Sequence, residues 1–274
     1  MPSPSKPRTP RLYHAAPGSS LSATGALLLV LAAVATLIVA SQIALRAGAP
    51  LHAAMAIAQL AMLALALIVL RAAHLPPRAL GIAAAPPRFL VAGALIGVSA
   101  WYLNLALVDA FVSVERADVE TLERLVERPS LAAVVLAVAL APAVCEEVLF
   151  RGALLRGLAS RIPPAVALVI ASAMFSLYHW KPVQMLPTFT LGLVLGVLAL
   201  RAGSILPSVI AHFLNNTMAI VVHRQEIEPL SRGLTEHPYV ALAGFGALFV
   251  VGTAVAVASP LARAPALAPG GHAP

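Results

Sequence analysis

The chain carries one cysteine, Cys145, in 274 residues, which excludes an intramolecular disulfide and any multi-cysteine metal site. Charge is scarce as well: 11% of the residues are Asp, Glu, Lys or Arg, whereas 60% are hydrophobic. With a mean hydropathy of +0.92 the chain is no ordinary soluble domain. The net charge of +7 comes from basic residues scattered singly through loops. They form no stripe or aromatic-interleaved patch, so no nucleic-acid partner is expected.

What the chain does have is long apolar runs that reach or approach the ~20 residues needed to span a bilayer core. Eight spans can be drawn, at 23–45, 51–70, 89–112, 131–156, 163–180, 183–200, 204–223 and 238–259. Gly48–Pro50, Pro76–Pro77, Pro86–Pro87, Pro129, Pro163–Pro164, Pro182, Gly203 and Pro238 separate them. The fold class expected is therefore all-α, a polytopic membrane protein of about eight transmembrane helices. Residues 1–20 are polar and proline-rich and read as a disordered cytoplasmic tail, with a second such tail at 263–274. Between them lie the N-terminal membrane helices (21–130), a polar-clustered core (131–220) and a last membrane helix (221–262). The run from Ala23 to Leu45 is too long for a signal-peptide core and is expected to be retained.

The distribution of Lys and Arg sets the orientation. Of 18 such residues, eleven fall on the side of the amino terminus: Lys6, Arg8, Arg11, Arg71, Arg78, Arg88, Arg151, Arg156, Arg161, Arg201 and Arg263. Seven remain for the other side, which favours both termini in the cytoplasm and a multi-pass protein of the inner (cytoplasmic) membrane. The segment 114–128 is charged, with Val119, Leu122, Leu125 and Val126 at helical spacing. It suits an amphipathic surface helix or a solvated connector. Gly192-Leu-Val-Leu-Gly196 offers a close-packing face.

Four polar clusters lie at membrane depth. Glu146 and Glu147 precede Arg151 in an apolar helix, where an ionised carboxylate costs at least a few kcal/mol unless it is paired, protonated or wet. Glu147 and Arg151 are four apart and can pair. Glu146 is rotated by about 100° and need not share that arginine. The alternative is a structural ion-pair staple. Phe175 and His179 are four apart in the fifth span, where a histidine beside Trp180 and Lys181 also suits an interfacial anchor. His212 and Asn216 share a face of the seventh span, as hydrogen-bonding glue or as a functional pair. Asn104 and Asp109 in the third span remain unassigned.

A carboxylate, two histidines and an amide make a hydrolytic set without a nucleophilic side chain. The carboxylate and one imidazole can activate water. The other imidazole and the amide can stabilise an oxyanion. The same residues, Glu146, His179 and His212, are candidate ligands for zinc, although no helix presents His-x-x-x-His. The chain has no HExxH, no Gly-x-Gly-Asp and no Gly-x-Ser-x-Gly, the elements of other intramembrane proteases. Cys145 reads as packing.

Taken in order, Glu146-Glu147-x-x-x-Arg151, Phe175-x-x-x-His179 and His212-x-x-x-Asn216 resemble the motifs of the CPBP family. These are the CAAX protease and bacteriocin-processing proteins, also called the Abi or type II CAAX prenyl endopeptidase family. The resemblance covers about residues 131–220. It implies an intramembrane peptidase with a central active-site cavity open to the cytoplasm. By this analogy Glu146 activates water, His179 assists it, and His212 and Asn216 stabilise the oxyanion. Glu147, Arg151 and Phe175 support the site. The resemblance leaves open a metalloprotease or a metal-free glutamate mechanism, hence no cofactor or zinc. Partners are membrane lipid and a peptide or protein substrate, lipidated or not. The Ala-rich, cysteine-poor composition points to a bacterial source.

One geometric condition follows. If the fourth helix ended at Phe150, Glu146 would lie near the inner face and His179 near the outer one, roughly half a bilayer core apart at ~1.5 Å per residue. Letting the helix run to Arg156 brings Glu146 toward mid-depth. Two other classes use similar residues: a proton- or ion-coupled transporter, and a non-catalytic membrane partner of the immunity type.

Overall fold

Proline and glycine interrupt the apolar runs, and each run folds as a helix in a computed structural model that describes residues 20–113, 120, 123, 125, 126 and 129–261. In order these are α1 (Ala23–Arg46), α2 (Leu51–Ala72), α3 (Pro87–Phe111), α4 (Leu131–Ala159), α5 (Pro164–Tyr178), α6 (Pro182–Ala202), α7 (Leu206–His223), a short α8 (Glu228–Glu236) and α9 (Pro238–Ala258). No strand occurs among the described residues. Local chemistry sets the ends. Ser22 Oγ accepts from the Gly25 N–H at 3.0 Å to cap α1. Prolines occupy the first turns of α3, α5, α6, α7 and α9, where no N–H is needed.

Six of the helices (α1, α2, α3, α4, α6 and α9) are long and apolar enough to cross a membrane. The two expected spans outside this set are α5 and α7. Helix α5 has 15 residues, about 22 Å against a core of ~30 Å. Helix α7 carries Ser208, His212, Asn215, Asn216 and Thr217 in its 18 residues. Helix α5 thus departs from a plain span by its length, and α7 by its polar side chains, His212 among them.

Helix α4 is the most enclosed of the six and α9 the least. Cys145, Leu149, Phe150 and Leu154 of α4 pack with Leu29 of α1, Met62 of α2 and Phe175 of α5. Ala92, Ile96, Leu195, Ala211 and Ala256 form a second core where α3, α6, α7 and α9 meet. With lipid as solvent, such cores are held by close packing rather than by exclusion of water. Glycine makes one approach possible: a Cβ on Gly97 would lie 2.5 Å from Ala211 O, so α3 rests on the backbone of α7 immediately before His212. A Cβ on Gly192 would meet Ser172 Cβ at 3.0 Å, which places the expected close-packing face between α6 and α5.

Helix α4 is not a uniform α-helix. It is π-helical over Val135–Leu140 and again over Glu147–Leu155, a geometry that is rare and recurs at functional sites. Asn104 of α3 accepts from Thr190 Oγ1 of α6 at 3.1 Å and so joins two helices, while Asp109 is exposed.

The tails expected at 1–20 and 263–274 lie outside the described residues, apart from Ser20. So does the amphipathic segment expected at 114–128, apart from Glu120, Glu123, Leu125 and Val126. Leu125 and Val126 are buried with Val134, Ala139 and Ile220. Arg224 Nη1, just after α7, donates to Val126 O at 2.9 Å and to Pro129 O at 2.8 Å.

Candidate active site

The polar residues of α4 are fully enclosed. Glu146, Glu147 and Arg151 are 3%, 0% and 2% exposed. In a membrane interior such groups need partners, and Glu147 has two on one oxygen. Arg151 Nη1 donates to Glu147 Oε1 at 2.8 Å, and His212 Nδ1 lies 3.0 Å from the same atom. Arg151 Nη2 donates to Gly192 O of α6 at 3.3 Å. The guanidinium stands 4.2 Å from the centre of the Phe175 ring, so a cation–π contact adds to the ion pair. Arg151 thereby ties α4 to α5 and α6.

Glu146 is held differently. Gln59 Nε2, from the middle of α2, donates to Glu146 Oε1 at 2.7 Å. Glu146 Oε2 lies 4.0 Å from His212 Nε2, and among the described residues it is buried with no hydrogen-bond partner. His212 therefore stands between the two carboxylates, with one ring nitrogen toward each.

The tautomers follow from the acceptors. A carboxylate and a carbonyl only accept, so His212 Nδ1–H donates to Glu147. His179 Nδ1–H likewise donates to Phe175 O, 2.8 Å away. In each neutral ring the lone pair is then on Nε2. The aromatic residues set the ring positions. Phe175 lies edge-to-face with His179 at 4.9 Å and with His212 at 6.0 Å, and Phe150 packs on Phe175 at 5.1 Å. His179 is partly exposed at the end of α5, beside Trp180, whose φ of +58° places a tight turn before α6.

Asn216 lies one turn beyond His212, and its hydrogen bonds lead away from the carboxylates. Its Nδ2 donates to Val138 O at 3.2 Å, and its Oδ1 accepts from Asn215 Nδ2 at 3.1 Å.

The fold thus brings together Glu146, Glu147, Arg151, Phe175, His179 and His212, with Asn216 at the border. The depth condition is met because α4 runs to Ala159, which carries Phe150 to within 5.2 Å of the Tyr178 ring on α5. Sequence reasoning missed Gln59 and Tyr178. Gln59 carried a signal, since it is a lone amide among Ala, Leu and Met in the middle of α2. Tyr178 carried none beyond its place beside His179. Among the described residues, no three His, Cys, Asp or Glu side chains group closely enough to hold a metal ion. As they stand, Glu146, His179 and His212 do not make a ready ligand set.

Comparison with curated proteins and with solved structures gives no match. A family model does match. Residues 128–218, which hold α4 to most of α7 and every expected catalytic residue, match the Rce1-like model, described as type II CAAX prenyl endopeptidase Rce1-like. That segment, about a third of the chain, is therefore similar to the type II CAAX prenyl endopeptidase Rce1-like domain, which belongs to a protease family.

Proposed function

We propose that this protein is an intramembrane endopeptidase that hydrolyses a peptide bond in a membrane-associated protein or peptide, with Glu146 as the base that activates water. The observation that carries the reading is the asymmetry of the two carboxylates. Each keeps one oxygen without a hydrogen bond among the described residues, but Glu147 is tied through the other to the Arg151 guanidinium and to His212, whereas Glu146 is bound by the neutral Gln59 amide and has its free oxygen 4.0 Å from an imidazole nitrogen. A carboxylate held by a neutral amide, with its free oxygen facing an imidazole, is arranged for proton transfer.

The steps balance with these residues alone. Glu146 Oε2 takes a proton from water, and the hydroxide oxygen attacks the scissile carbonyl carbon. His179 Nε2 is a second basic site that orients the water. The tetrahedral oxyanion is stabilised by the imidazole of His212 and by N–H donation from the second hydrogen of Asn216 Nδ2. The carbon–nitrogen bond then breaks, and the proton held by Glu146 passes to the leaving amine. The products are a carboxylic acid and an amine. Arg151, Glu147 and Phe175 hold His212 in place. The family description favours a prenylated CAAX-type carboxy-terminal peptide as substrate, approached from the cytoplasmic side, on which both termini lie.

The test is cleavage in proteoliposomes of an internally quenched peptide ending in a farnesylated CAAX sequence, beside its unprenylated counterpart. Wild-type protein cleaves, and Glu146→Ala and His212→Ala do not, although both insert and fold. Wild-type turnover in those variants removes the proposal.

A further inference from the structure

We infer that Gln59 of α2, outside the segment that matches the family model, is a positioning residue for Glu146. This assignment rests on the peptidase reading of the site. Gln59 is 4% exposed and lies on the face of α2 that also buries Ala54, Ala58, Met62 and Ala66. The small alanines let α2 approach α4 closely, and the amide reaches the carboxylate at that approach.

The direction of the hydrogen bond is fixed by chemistry. Glu146 Oε1 accepts, so the amide must present nitrogen rather than oxygen to it. Gln59 Nε2 has a second hydrogen, and Tyr178 OH lies 3.3 Å away to receive it. Tyr178 in turn lies 4.0 Å from Met62 Sδ, one turn along α2 from Gln59. Both hydrogens of the amide are therefore committed, and rotation of the amide would set its oxygen against a carboxylate oxygen. The orientation is locked from two sides.

Locking Oε1 decides which oxygen of Glu146 does the work. With Oε1 bound to Gln59, Oε2 is the oxygen turned toward His212 Nε2. Without the amide, the carboxylate can rotate about its last bond, and the distance to His212 is no longer set. Gln59 Oε1 itself is buried with no hydrogen-bond partner among the described residues. The amide is therefore not there to complete its own hydrogen bonds, and what its nitrogen does for Glu146 accounts for it.

Gln59→Met and Gln59→Leu keep the volume and remove the donor. In proteoliposomes with the farnesylated quenched peptide, kcat falls about 10- to 100-fold, while KM stays within about twofold. The melting temperature in detergent changes little, because the unpaired acceptor that leaves with the amide offsets the donor that Glu146 Oε1 loses. Wild-type kcat in both variants overturns the assignment, as does a loss of activity matched by a loss of melting temperature. A second readout needs no turnover. With 13C-labelled glutamate, the infrared carboxylate band that Glu146→Gln removes shifts in Gln59→Met, and an unmoved band would falsify the assignment. Failure of the wild-type protein to cleave the peptide counts against the peptidase reading, and the infrared band then still decides for or against Gln59.

Discussion

His212 Nδ1 lies 3.0 Å from Glu147 Oε1, so the imidazole of α7 holds the same oxygen that Arg151 holds from one turn along α4. Two donors on one buried oxygen make Glu147 the hinge between the two helices. The contact sends His212 Nε2 toward Glu146 and gives two adjacent, chemically identical side chains different work.

Arg151→Leu leaves Glu147 in a closed site with its charge largely uncompensated. Removing one partner of a buried ion pair costs about 3–5 kcal/mol, and here the contact with Phe175 and the bond to Gly192 O are lost as well. Reversible unfolding in mixed micelles measures the loss. Glu147→Gln combined with Arg151→Leu recovers part of it, since no lone charge then remains. Arg151→Lys recovers little, because an ammonium cannot reproduce the fork and the stacking together.

Glu146→Gln is the cleanest catalytic probe. The amide keeps an oxygen to accept from Gln59 and keeps the volume, but it cannot take a proton. Turnover falls at least about 100-fold, while peptide affinity and melting temperature hold. A variant retaining a tenth of wild-type kcat or more would show that the base lies elsewhere.

Gly97→Ala tests how far the site depends on a helix that carries no catalytic side chain. The added methyl would sit 2.5 Å from Ala211 O, a backbone atom that cannot rotate aside, so α7 must move. Overpacking of this kind costs about 1–3 kcal/mol, and displacing His212 lowers kcat beyond what stability explains. Both are read from one preparation, by thermal melting and peptide cleavage. Gly244→Ala, where a Cβ would meet nothing within 4 Å, is the control and leaves both unchanged.

Asn216→Ala removes a structural bond and an oxyanion donor at once. Loss of the donor to Val138 O lowers stability by about 1–3 kcal/mol, and loss of the second N–H lowers kcat by about 100- to 1000-fold. Asn215→Ala, which only frees the Asn216 amide to rotate, gives a smaller loss of kcat with KM unchanged. Equal kcat in Asn216→Ala and wild type would leave the amide a purely structural role.

Much of this was legible in the sequence because lipid imposes simple rules. The eight apolar runs folded as helices within a few residues of the breakers expected to end them, and the Glu147–Arg151 pair followed from a four-residue spacing. The spacing could not show that His212 is the third member, since 65 residues separate it from Glu147. Gln59 escaped for the opposite reason: a single amide in a helix has no pattern, and its meaning lies in a partner 87 positions away. The π-helical turns of α4 left no trace in the hydrophobic pattern, because the helix is apolar on nearly every side.

Those turns bear on how such a domain evolves. A π turn accommodates one residue more than an α turn, so deleting a single residue between Val135 and Leu140 would restore regular winding and leave the carboxylate pair facing as before, whereas the same deletion in a regularly wound stretch would swing it by about 100°. The shortened helix would still insert, still span and still pack, with its acids in place. The π turns are thus the places where α4 can change length by one residue without losing the phase of its acids, and every other position of the helix is held to its exact count.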